Sequence, residues 1–186
     1  LPKLFDGTWS GTMCLTEPQA GSDLNAVATR AFPTDKKGIY KIKGQKCFIT
    51  SGDHDLSKNI IHMVLAKTPD ALPGTAGISL FIVPKFWVDE NGNVGGWNDV
   101  TTVGIEHKMG LHGSSTCTLA FGENDNCYGY LVGEEPVGGR GKGLSYMFQM
   151  MNEERLNTGL FALGTITSAY YAALDYTKIR VQSPSF

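Results

Sequence analysis

The stretch Cys14–Asp23, CLTEPQAGSD, sets an apolar run against a compact group of hydroxyl, carboxylate, proline and glycine residues. On its own it reads as an ordinary turn between strands, with Pro18 and Asp23 chosen for turn geometry. Farther on, the run NEER, Asn152 to Arg155, gathers an amide, two carboxylates and a guanidinium. Its plain reading is a solvated charge, Arg155 paired with Glu153 or Glu154. GGRGKGLS lacks the first Walker glycine and does not match GxGxxG, so it reads as a flexible linker. The four histidines form no HExxH pair, and GDHDL lacks the spacing and terminal glutamate of a calcium loop, which leaves it a surface turn. No metal site is expected. No serine lies in GxSxG.

The elements that must position these groups divide by texture. Up to about Val132 the chain is a series of short alternating or β-branched runs separated by turn signals such as PGTAG, DENGN and GENDN. An antiparallel sandwich or barrel follows from that pattern. From Gly143 the pattern is helical: Leu144, Met147, Met151, Leu160, Leu163, Ile166, Tyr170 and Leu174 recur at helical intervals, and no proline intervenes before Pro184. The expected layout is a β domain over 1–133, a linker over 134–142 and one long helix over 143–186. No charged residue lies between Arg155 and Asp175, so this helix is expected to be covered by others, as the first piece of a truncated bundle. Its Asn, Thr and Ser content argues against a membrane span.

Composition limits the function classes. The 186 residues are 41% hydrophobic, enough for a packed core, and 18% charged with a formal net charge of −2. No basic surface is available for nucleic acid. Four cysteines show no CxxC spacing, and the first three, Cys14, Cys47 and Cys117, lie in apolar or alternating runs that fit buried thiols and a reducing, cytoplasmic compartment. The start, LPKLFDGTWS, has neither an initiator methionine nor a signal core and reads as the beginning of a fragment.

Four segments, CLTEPQAGSDL, GQKCFITSGDHD, EHKMGLHGSSTCTLAF and GKGLSYMFQMMNEERLNTG, occur in an order and spacing that together resemble the acyl-CoA dehydrogenase family. The resemblance spans essentially the whole chain, as that family's middle β-barrel domain plus the first helix of its C-terminal bundle. FITSGDHD and IEHKMGLHG look most like the subgroup containing 3-methylmercaptopropionyl-CoA dehydrogenase. It implies an FAD enzyme that converts an acyl-CoA thioester to a trans-2-enoyl-CoA, is reoxidised by electron-transferring flavoprotein and forms a homo-oligomer. A location in the cytoplasm, or in the mitochondrial matrix of a eukaryote, goes with it.

By the same resemblance Met13, Leu15 and Thr16 line the flavin ring, Gly21 and Ser22 meet its pyrophosphate, and Phe48, Ile49 and Thr50 match a segment that usually reads W-I-T. Phenylalanine for tryptophan keeps a stacking surface and loses an indole donor. Ser22, Asn152 and Arg155 map to acyl-CoA contacts, and Arg180 to an arginine that reaches the FAD of a neighbouring subunit. Glu154 matches the base position of a minority of members, most of which carry the base on a later segment. The chain alone is expected to be inactive. The competing reading is a non-catalytic flavin-binding or protein-interaction module on the same β-barrel.

Overall fold

A computed structural model describes residues 1–89 and 91–183. It divides into two compact units, 1–146 and 147–186, each described separately.

After a single helical turn, α1 (Pro2–Phe5), the described residues of the first unit form ten strands: β1 (Ser10–Cys14), β2 (Arg30–Pro33), β3 (Ile39–Thr50), β4 (Ile60–Lys67), β5 (Ile78–Pro84), β6 (Phe86–Val88), β7 (Val94–Trp97), β8 (Val100–Ile105), β9 (Thr116–Phe121) and β10 (Tyr128–Leu131). β4 pairs with β5, β5 with β10, β10 with β3 and β3 with β2, and an Arg30–Lys67 bridge returns β2 to β4. Five strands thus close into a barrel, and closure leaves fewer free edges. The barrel is not wholly antiparallel, since β1–β4 and β2–β4 are parallel pairs. β4 and β5 read as nearly continuous apolar runs and are buried along almost their whole length. β3 alternates at first, with Tyr40 and Ile42 inside and Lys41 and Lys43 outside. Ile42, Val64, Phe81, Leu119 and Phe121 are central in the core, and all four cysteines are buried and unpaired.

Two expectations are corrected here. The glycine-rich segment after Pro136 is no flexible linker. Leu72 N–H donates to Gly139 O and Gly141 N–H to Ala76 O, both at 2.9 Å. A Cβ at Gly139 would stand 2.1 Å from Asp70 O, so glycine is needed because two backbones touch. Nor is GDHDL a free turn, because Gly52 is buried and Asp53 and His54 are half-buried with hydrogen-bond partners in distant strands.

The long helix α2 runs unbroken over Gly143–Ile179 and contributes all of the second unit's regular structure among the described residues. From Asn152 to Ala173 every residue is exposed, including Leu156, Leu160, Phe161 and Ile166. The hydroxyls of Thr158, Thr165 and Thr167 donate to carbonyls four residues back. That internal bonding leaves the outward surface mostly apolar. No helix among the described residues is long and apolar enough to cross a membrane.

Candidate functional site

The turn after β1 is organised by a carboxylate. Glu17 and Ala20 exchange backbone hydrogen bonds at 2.8 and 3.0 Å, folding Pro18 and Gln19 into a tight turn. The Glu17 side chain points inward and accepts from Lys46 Nζ (2.8 Å), Thr29 Oγ1 (2.5 Å), Thr29 N (3.1 Å), Ala28 N (2.7 Å) and Gln19 Nε2 (2.6 Å). The Glu17 and Lys46 side chains are 2% and 0% exposed, which makes this a fully desolvated ion pair. Burial alone pushes the Glu17 carboxyl up, but the Lys46 charge and the converging donors outweigh it and hold the group below its usual value. Burial pulls the Lys46 ammonium down despite the carboxylate beside it. Lys46 also donates to Leu15 O at 3.1 Å, and Cys47 N–H donates to Thr16 O at 2.9 Å. The TEP turn and the FIT strand are therefore joined side by side.

Of the expected cofactor residues in the first unit, Met13, Leu15 and Thr16 are half-buried on the β1 side of this joint. Phe48 and Thr50 are exposed on the β3 side, and Ile49 faces the core. Phe48 is the least ordinary of them. It sits where the β3–β9 register shifts, with a left-handed φ of +60°, and its ring is 62% exposed. A bulky residue in that conformation costs about 1–2 kcal/mol, and leaving a large ring in water recovers none of it. Such a bulge re-aims a side chain. Here it turns an aromatic outward beside Thr16.

Gly21 and Ser22 follow, both exposed. Neither a positive φ nor packing demands glycine at 21, since a Cβ there would meet only Thr16 Cγ2 at an ordinary 3.7 Å. The backbone N–H groups of Gly21 and Ser22 have no acceptor among the described residues. Two free amides, two hydroxyls and an outward ring along one edge suit a large planar group bearing an anionic tail. Two cavities of this unit, about 460 Å³ around Trp87 and Tyr128 and about 360 Å³ around Tyr40 and Glu135, contain none of them.

The helix residues belong to the second unit. Asn152, Glu154, Arg155 and Arg180 are all exposed. Arg155 donates to Asn152 Oδ1 at 3.0 Å and lies 5.3 Å from the centre of the Phe148 ring, so its near partners are Asn152 and Phe148 and neither glutamate. No cluster of metal-ligating side chains occurs among the described residues.

Sequence reasoning missed the Glu17–Lys46 pair. The signal was present in β3, where Lys46 shares the inward parity of Tyr40 and Ile42, a charge at a core position that requires a partner.

Residues 12–123 match the family model "Acyl-CoA dehydrogenase, middle domain". The chain belongs to the acyl-CoA dehydrogenase family. It is 73% identical over all 186 residues to butyryl-CoA dehydrogenase of Syntrophomonas wolfei, covering 30% of that protein. To 3-methylmercaptopropionyl-CoA dehydrogenase of Ruegeria pomeroyi it is 50% identical over 183 residues, 98% of this chain and 30% of that one. Of these two relatives it is more similar to the butyryl-CoA dehydrogenase, and the resemblance read from FITSGDHD to the 3-methylmercaptopropionyl-CoA dehydrogenase stands beside it. A solved acyl-CoA dehydrogenase complexed with FAD from Bacillus anthracis superposes with a TM-score of 0.65 at 29% identity, covering 92% of this chain and 25% of that one. The chain spans about a third of the length of the curated relatives it matches.

Proposed function

We propose that this chain is the flavin-facing β domain and one bundle helix of an FAD-dependent acyl-CoA dehydrogenase. The observation that carries the proposal is the exposed Phe48 ring, held in left-handed backbone next to Cys47, whose N–H bonds Thr16 in the turn that goes on to the free amides of Gly21 and Ser22. FAD, when bound, supplies the acceptor for the hydride that leaves the β-carbon of the acyl group.

The chain's own residues then have defined tasks. Met13, Leu15 and the Phe48 ring form an apolar wall that keeps water from the ring system, whereas Ile49, expected to contact the cofactor, packs into the core on the other side of β3 and supports that wall from behind. The hydroxyls of Thr16 and Thr50 donate to its polar edge, and the amides of Gly21 and Ser22 hold its pyrophosphate. In the second unit Asn152 and Arg155 are the candidates for the CoA part of the substrate, the guanidinium being suited to a phosphate by its fixed fork of donors; Ser22, in the first unit, is a separate candidate for a substrate contact. Glu154 is the candidate to remove the α-proton, and Arg180 the candidate to reach a cofactor in a second copy of a homo-oligomer. Electron-transferring flavoprotein is the proposed electron acceptor. The 73% identity to a butyryl-CoA dehydrogenase supports a short acyl chain, and four unpaired thiols support a reducing, cytoplasmic setting.

The test uses the full-length protein that carries this chain. It should purify yellow and lose its visible flavin band on addition of butyryl-CoA. A colourless protein that gains no flavin on reconstitution would overturn the proposal and leave the protein-interaction reading.

A further inference from the structure

The SGDHD motif directly after the FIT strand has no task in that proposal, yet it is heavily bonded. Ser51 is left-handed, with φ +50°, and its hydroxyl lies 3.3 Å from Ser114 Oγ. Gly52 N–H turns back onto Ile49 O at 3.2 Å, and a Cβ at Gly52 would stand 2.7 Å from the Cβ of Cys117. Two left-handed residues within four positions will not persist unless the surroundings over-determine them. Asp53 supplies the restraint. Its Oδ1 accepts from Lys85 Nζ at 2.5 Å, its Oδ2 from Thr102 Oγ1 at 2.7 Å and its backbone carbonyl from Ser115 Oγ at 2.7 Å.

Those partners come from three separate parts of the chain, Lys85 between β5 and β6, Thr102 in β8 and Ser115 just before β9, and Lys85 is itself fixed. Its backbone N–H donates to Ile60 O at 2.8 Å and its carbonyl accepts from Asn98 at 2.9 Å. Next along, His54 Nδ1 accepts Leu56 N–H at 3.2 Å, which leaves the proton on Nε2 to donate to Ser10 Oγ at 3.1 Å. Ser10 opens β1, the strand that leads to Met13 and the TEP turn, and its hydroxyl also meets Ser57 Oγ at 3.0 Å. The loop is thus referenced to both strands that present the proposed flavin residues.

From this geometry we infer that Asp53 is a positioning residue, holding the strained Phe48–Ser51 edge of β3 in its outward-facing shape. The inference rests on the proposed function for its consequence and on the hydrogen-bond pattern for its existence. Only a carboxylate suits the place, because Lys85 and Thr102 each need a separate acceptor oxygen and an asparagine offers one.

Two readouts test it. In the 186-residue chain, Asp53→Asn should speed amide hydrogen exchange at Phe48, Ile49 and Ser51 by tenfold or more and leave the β4 and β5 amides unchanged. In the full-length protein it should weaken flavin binding by tenfold or more and shift the visible flavin band. Lys85→Met should reproduce both effects and Lys85→Arg should avoid them. The Asp53→Asn/Lys85→Met double variant should be no worse than either single one. Uniform acceleration across the sheet, an unchanged flavin band with normal affinity, or additive losses in the double variant would overturn the inference. A wild-type protein that takes no flavin would sink the proposed function, while the exchange pattern would still decide whether Asp53 orders this edge.

Discussion

Lys46→Met removes one charge from a site where neither partner touches water, and the structure sets the scale of the loss. Breaking a buried ion pair costs about 3–5 kcal/mol, because the remaining charge is left without compensation. Here Glu17 would keep four donors, from Gln19, Ala28 and the amide and hydroxyl of Thr29. The low end, about 3 kcal/mol, is therefore expected. At about 2–4 °C per kcal/mol for a domain of this size, the barrel transition should move down by roughly 6–12 °C. Urea denaturation followed by tryptophan fluorescence between pH 3 and 7 measures both the loss and its pH dependence. With its folded value held below the ordinary 4.5, Glu17 contributes stability that is whole above that pH. The contribution fades as pH falls through the folded value. Without Lys46 the folded value rises, so the loss of stability in acid should shrink. Glu17→Gln combined with Lys46→Met should cost less than the sum of the single changes. A Lys46→Met protein within about 0.5 kcal/mol of the parent, with the same acid limb, would refute the reasoning about desolvation.

Phe48→Gly relieves a left-handed φ and surrenders an exposed ring, so it should stabilise the fold by about 1 kcal/mol while weakening flavin binding in the full-length protein; denaturation midpoints and flavin titration check the two halves. His62 is fully buried, its Nδ1 meets Thr12 Oγ1 at 2.7 Å, and burial pulls its pKa down to about 3. The unfolded chain takes that proton first, so stability should fall as pH drops from 6.5 toward 3, by at most about 1.4 kcal/mol per unit. His62→Gln should flatten that slope in the same denaturation series. The exposed apolar surface of α2 should make the 186-residue chain self-associate, with light scattering showing more than a monomer; Leu160→Lys with Phe161→Lys should return it toward a monomer.

The two kinds of secondary structure were legible because each has its own period. Alternation in IYKIKGQKCFIT and the long apolar spacing from Leu144 to Leu174 gave a strand and a helix without further help. The family was legible because its turn chemistry is compact, with the TEPQAGSD and FIT segments each lying within a few consecutive residues. Local patterns of this sort are set by backbone sterics and by which face must leave water.

Partners far apart in the chain could not be assigned in the same way. That Lys46 enters the core follows from its parity, but that Glu17, 29 residues away, receives it depends on β1 and β3 meeting at Thr16 and Cys47. The glycines after Pro136 look flexible in one dimension and prove to be points where the chain passes over Asp70 and Ala76. Asp53 reads as a turn residue until Lys85, Thr102 and Ser115 converge on it. Period, turn chemistry and family can be read from the order of residues alone. Which charges are buried and which ring faces outward cannot, because burial and strain depend on what barrel closure brings alongside each residue.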